Sequence, residues 1–192
     1  AVPTTPETVE TMALMEEGLR RIETLTHRLL KLSRESPPDL GPMRVGEVVG
    51  EALRFVDGDV ASTIERVPGE GSLALVDRDR ACEALANVLD NALHACRGGG
   101  RVSVQVVSLE GPRAMTCIEV RDTGEGIPKD QLGRVFDMFY TTKAVGEGTG
   151  LVLAITRRVM EEHGGSVTLD SDERGTCVRL SFPVYSPSRG ES

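Results

Sequence analysis

The chain has no tryptophan, and aromatic residues of every kind make up 3% of its 192 residues. A core of stacked rings is excluded, so the interior must rest on Val, Leu, Ile, Met and Ala. Cys82, Cys96, Cys117 and Cys177 include no C-x-x-C pair. That argues against a zinc site or a disulfide framework and for reduced thiols in a cytoplasmic setting. No apolar run approaches the ~20 residues that a membrane-spanning helix needs, and no secretory leader opens the chain. A longer parent protein could still be membrane-anchored. Basic residues are outnumbered, 22 Lys and Arg against 30 Asp and Glu, for a net charge of -8. Nucleic acid is therefore not an expected partner, because phosphate backbones attract basic faces. A single nucleotide is not excluded, since it needs only local donors and a metal.

What remains is an ordinary globular balance, 39% hydrophobic and 27% charged, on a chain long enough for one domain plus an appendage. Residues 7–36 read as one long helix. Met12, Met15, Leu19, Ile22 and Leu29 recur in steps of three and four, Thr26 fills the seam, and Leu25, Leu30 and Leu32 widen it. Such a stripe buries against other helices. Pro37 and Pro38 stop the helix, 39–43 reads as a linker, and a second helix is predicted over 45–56. Beyond it, strands are predicted at 72–76, 101–109 and 115–122, and helices at 79–97, 129–135 and 149–163. Gly98–Gly100 and Gly164–Gly165 end the two longer helices, and a hairpin covers 166–171 and 176–184. Locally paired strands with helices on one side predict an α+β fold, a two-layer α/β sandwich. The expected organisation is an N-terminal helix at 1–38, a domain at 45–185 and a frayed polar tail at 186–192.

Three stretches carry chemistry. On the helix at 79–97, Ala84, Asn87, Asn91 and His94 form a stripe spaced three, four and three beside the core face. Asn is costly to bury without partners, so a ligand, a metal or a partly solvated edge would account for it. On the strand ending at Asp122, Ile118 and Val120 share its face, so the carboxylate points inward and needs a donor; adenine's exocyclic amine is one candidate. Gly124 and Gly126 would let the backbone approach a flat base. A plain Asp-Thr-Gly turn fits the same residues. Gly146-Glu-Gly-Thr-Gly-Leu151 opens a helix, leaving N–H groups for an anion. It lacks both the Walker order and the strand that precedes a dinucleotide fingerprint, and a flexible connector fits it too.

In this order the stretches resemble the GHKL superfamily, above all the catalytic domain of sensor histidine kinases. Leu85-Ala-Asn-Val-Leu-Asp-Asn-Ala92 is similar to that family's N box, and Asp122-Thr-Gly-Glu-Gly-Ile-Pro128 to its first glycine box. Val135-Phe-Asp-Met-Phe-Tyr-Thr-Thr-Lys143 is similar to its F box, and Gly146–Leu153 to its second glycine box. His163-Gly-Gly-Ser-Val also fits. The resemblance covers about 45–184 and implies the Bergerat ATP-binding fold. It implies that Asn91 ligates Mg²⁺, that Asp122 binds the adenine amine with Thr176 nearby, and that Gly148, Thr149, Gly150 and Leu151 meet the phosphates. Thr141, Thr142 and Lys143 fall in the ATP lid, Lys143 as a neutraliser of phosphate charge, and His94 falls where relatives face the phosphates. The helix around 19–33 resembles the second helix of the dimerisation and phosphotransfer domain.

The implied activity is transfer of the ATP γ-phosphate to a histidine and then to an aspartate of a response regulator receiver domain, in a parent that is a homodimer. Two departures stand out. Val152 replaces a usual glycine. None of His27, His94 and His163 is followed by the acidic residue that marks the phosphoacceptor, so the acceptor is expected outside this chain. Where hydrolysing relatives place a water-activating Glu, this chain has Asn87, which cannot take a proton. An anti-sigma-type serine kinase and a degenerate, non-catalytic dimerisation module are the rival readings.

Overall fold

A strand with Val at every second position buries one face and wets the other, and the sheet of this protein is built on that alternation. The computed structural model describes residues 6–32, 36–56, 64–67, 69–111, 113–141, 143 and 148–186. The elements run α1 (Pro6–Leu32), β1 (Gly41–Arg44), α2 (Val45–Ala52), β2 (Ile64–Arg66), β3 (Leu73–Val76), α3 (Arg78–Ala95), β4 (Val102–Leu109) and β5 (Met115–Asp122). A 3₁₀ turn (Leu132–Arg134), α4 (Val152–Glu162), β6 (Ser166–Asp172) and β7 (Gly175–Pro183) follow. The main sheet has the order β2-β4-β5-β7-β6, with β2 parallel to β4 and the other pairs antiparallel. β1 and β3 form a separate antiparallel ribbon.

Val104, Ile118, Val120, Leu180 and Phe182 present the inward face of the sheet. Val45, Val48 and Val49 of α2, Leu85 and Leu89 of α3 and Met160 of α4 cover it. The other face carries a row of charges: Glu119 takes hydrogen bonds from Gln105 (2.7 Å) and Arg179 (2.6 Å), and Arg179 reaches on to Asp170. The two-layer sandwich expected from the sequence is what forms.

Several boundaries differ from expectation, each for a local reason. The 39–43 linker contributes β1, because Pro42 faces Leu75 in a two-stranded ribbon where a missing N–H is tolerated. β2 went unforeseen; with three residues and one buried side chain, Ile64, it has no periodicity to read. α2 ends at Ala52 and the chain turns through Leu53–Phe55, short of the expected residue 56. The 129–135 segment makes only a 3₁₀ turn. α4 starts at Val152, three residues later than expected, because Gly150 holds φ at +63°.

His163 ties the far end of the sandwich together. Its Nε2 accepts the Asp77 N–H (2.9 Å) and its Nδ1–H donates to the Val159 carbonyl (2.6 Å). The ring meets Phe182 edge-on at 5.8 Å. Gly164 (φ +65°) and Gly165 close α4, the Gly165 N–H reaching back to the Met160 carbonyl. Asp77 caps α3 through the Arg80 N–H and also accepts from the Asp39 N–H. Arg80 bonds Glu162 (2.6 Å) and the Ser36 carbonyl (2.8 Å). The stretch after α1 is thereby fastened to the start of α3 and the end of α4.

His163→Ala leaves the buried Asp77 N–H without its acceptor and opens space beside Phe182. The expected loss is about 2–4 kcal/mol in urea unfolding; a loss below about 1 kcal/mol would show that the ring is not a structural tie.

Candidate functional site

Alternation carries Ile118, Val120 and Asp122 onto the inward face of β5, and Asp122 is 6% exposed. A carboxylate that dry needs donors. Two backbone groups supply them: Oδ1 accepts the Gly124 N–H (2.9 Å) and the Thr176 N–H (3.2 Å). Burial pushes its pKa up from the ordinary 3.8, and the two hydrogen bonds offset that only in part. Neither bond engages Oδ2.

A cleft of about 420 Å³ opens over this carboxylate, between α3, the start of α4 and the β6–β7 hairpin. Val120, Val178, Ile127 and Leu169 give it an apolar floor. At its edge, Ser171 Oγ accepts the Ile127 N–H (2.8 Å) and lies 2.9 Å from Thr176 Oγ1. At the far end Lys143 Nζ donates to Asn91 Oδ1 (3.1 Å). The segment before Lys143 folds over the glycine box. Phe139 adopts φ +66°, a region rare for a bulky residue, and its N–H bonds the Gly150 carbonyl (2.9 Å). Arg134 stacks on Tyr140 at 4.5 Å.

Of the residues singled out from sequence, Asn91, His94, Asp122, Gly126, Thr141, Lys143, Gly148, Thr149, Gly150 and Thr176 line this one cleft. Thr142 and Gly146 lie outside the described residues. Three others are placed elsewhere. Asn87 lines a second groove of about 940 Å³ with Phe55, Val56 and Glu83. At about 100° per residue it is rotated ~40° from Asn91, on the same side as His94, and sits ~6 Å nearer the helix start. Ala84, also in that stripe, is simply core. Leu151 is fully buried, so its side chain anchors α4 in the protein instead of meeting the cleft.

Close contacts within the protein also account for the two glycines after Asp122. A Cβ on Gly124 would lie 2.7 Å from the Ala95 carbonyl oxygen, and one on Gly126 (φ +70°) would lie 1.9 Å from that of Asp172. Both are required by close packing of protein on protein, and Gly126 also lines the cleft. Ser171, Ile127 and Tyr140 escaped the sequence reading. For Ser171 the signal was available: it shares strand parity with Val167 and Leu169, the partly buried positions of β6.

With the geometry in hand, the comparisons decide the family. The model for histidine kinase-, DNA gyrase B- and HSP90-like ATPases matches residues 76–186. This chain belongs to that family. It is 38% identical over 181 residues to the methanogenesis regulatory histidine kinase FilI of Methanothrix harundinacea, covering 90% of this chain and 20% of that protein. It is 30% identical over 187 residues to the sensor histidine kinase ZraS of Salmonella typhimurium, covering 95% of this chain and 39% of that protein. The chain thus spans well under half the length of these relatives. Among solved structures, a mycobacterial sensor histidine kinase, MprB, superposes with a TM-score of 0.62 at 29% identity, covering 75% of this chain and 97% of that one. The family's ATP-binding domain is therefore present, and β1, α2 and β2, which precede residue 76, share its core.

Asp122→Asn retains an Oδ1 acceptor and removes the ionisation. Because the folded carboxyl titrates above its ordinary value, its contribution to stability is present at acid pH and is lost as pH rises through that raised value. The variant's melting temperature should therefore gain on the parent's as pH rises from below 3.8 to neutrality. A gap that narrows over that range contradicts this account of the site.

Proposed function

We propose that this chain is the ATP-binding catalytic domain of a two-component sensor histidine kinase with part of its dimerisation helix. The observation that carries the reading is the Asp122 carboxylate lining the cleft, with one oxygen held by two backbone N–H groups and the other engaged by neither of them. An adenine exocyclic amine suits that acceptor, with Val120 and Val178 against the ring and the Thr176 hydroxyl beside it. Gly148, Thr149 and Gly150, just ahead of α4, offer N–H groups to the phosphates, where the helix dipole favours anions. Thr141 and Lys143 cover them from the lid, and His94 stands at the rim.

Mg²⁺ fits this donor set. Asn91 Oδ1 already faces a cation, the Lys143 ammonium. No cluster of three or more His, Cys, Asp or Glu suited to a metal occurs among the described residues, and Mg²⁺ commonly binds through substrate phosphates and few protein ligands. When bound it would neutralise charge on the phosphates. The protein's own part is positioning: base, phosphates and lid fix the γ-phosphorus for in-line attack. The acceptor imidazole nitrogen, from a histidine outside this chain, bonds to phosphorus as the bridging P–O bond breaks and ADP departs. The phosphoryl group then passes to an aspartate of a response regulator.

The apolar stripe of α1 supports a dimerisation role: Met12, Met15, Leu19 and Ile22 are all more than 60% exposed, an unpartnered face of the kind that four-helix bundles bury. That stripe favours a homodimeric kinase over a serine kinase without such a helix. No described helix is long and apolar enough to cross a membrane.

Calorimetric titration of a Mg²⁺–ATP analogue tests the reading. The parent chain should bind in the micromolar range, and Asn91→Ala and Asp122→Ala should each weaken binding by about tenfold or more. No binding to the parent chain refutes the proposal.

A further inference from the structure

Lys143 touches Thr141, Gly148 and Asn91. Its N–H donates to Thr141 Oγ1 (3.2 Å), a local turn that sets the backbone direction. Its aliphatic stem lies across Gly148, where a Cβ would come within 3.1 Å of Lys143 Cβ and 3.2 Å of Cδ. Its ammonium bonds Asn91 Oδ1 across the cleft. An ammonium only donates, so this bond also fixes which end of the Asn91 amide faces the cleft: the oxygen.

We propose that Lys143 is a tethered cation that keeps the divalent ion's place on Asn91, so that the site can hold a nucleoside diphosphate without metal. The inference rests on the nucleotide-site reading above and extends it to the metal requirement. Two cations cannot share one amide oxygen at contact distance without strong repulsion, so arrival of the metal displaces the lysine. The stem on Gly148 keeps the released ammonium within the cleft. It then serves as a compact point charge for the phosphates, a role that suits Lys better than the planar fork of Arg. The site thus carries positive charge opposite the phosphates in both states, from the lysine before the metal arrives and from both cations afterwards.

The test is calorimetric titration of ADP into the full chain, in magnesium buffer and in excess chelator, for the parent, Lys143→Met and Asn91→Ala. Lys143→Gln, which keeps a polar side chain without charge, serves as a second variant should Lys143→Met misfold. Removing the charge should weaken ADP by about tenfold or more in chelator and by less than about threefold in magnesium. Asn91→Ala should show the reverse, losing more in magnesium than in chelator. Equal weakening of the lysine variants in both buffers overturns the tethered-cation role and leaves the nucleotide site standing. Failure of the parent to bind ADP in either buffer overturns the site itself, and this inference with it.

Discussion

A carboxylate largely removed from water must be answered by fixed donors, and Asp122 draws its donors from two separate parts of the chain. Gly124 lies two residues on; Thr176 lies on β7, 54 residues away. Both N–H groups meet the same oxygen only if β5 and β7 run side by side in the observed register and the turn after β5 tucks beneath the β6–β7 hairpin. Burial still leaves the acid above its ordinary pKa. The protein therefore keeps a cost at this position. An acceptor lining the cleft is what that cost maintains, a common pattern at sites that bind polar ligands.

The glycines around this carboxylate make the arrangement possible. Gly175 (φ +131°) places its α-carbon so near the Asp122 carbonyl that a Cβ would lie 2.0 Å from it. Gly126 does the same against Asp172, and Gly150 against Phe139. Glycine-rich boxes in a nucleotide-binding chain invite the view that each glycine makes room for the ligand. Here their first task is to let backbone rest on backbone, so that loops from three parts of the chain converge on one cleft. The ligand inherits a shape that protein packing has already fixed. At the other end of α4, His163, Asp77, Arg80 and Glu162 play the matching role, holding the helix to α3 and to the stretch that follows α1.

Much of this was legible in the residues. The parity of Ile118, Val120 and Asp122 correctly turned the acid inward. Asn91 was singled out by an amide beside a core face. The stripe that drew attention to it was too broad, however. Ala84, Asn87, Asn91 and His94 share helical spacing, yet α3 borders two grooves: Asn87 lines one, Asn91 the other, and His94 both. Helical spacing gives an angle; it does not say what lies opposite. β2 and the Pro42 strand were illegible for a different reason: both are held by partners distant in sequence and carry almost no pattern of their own.

By itself, the sequence determined what local periodicity and steric rules can encode: two-layer α+β architecture, the inward acid, the long amphipathic α1 and the glycine stops of α3 and α4. These depend on neighbours within a turn or two, so they are written in spacing. Tertiary structure decided which marked residues meet. It brought Lys143 to Asn91 across 52 residues and Thr176 to Asp122 across 54, and it sent Asn87 to another groove. Such meetings depend on register between distant strands and on which helix face is covered. They are properties of the packed chain, because the free energy that selects them is shared over the whole core and belongs to no single motif.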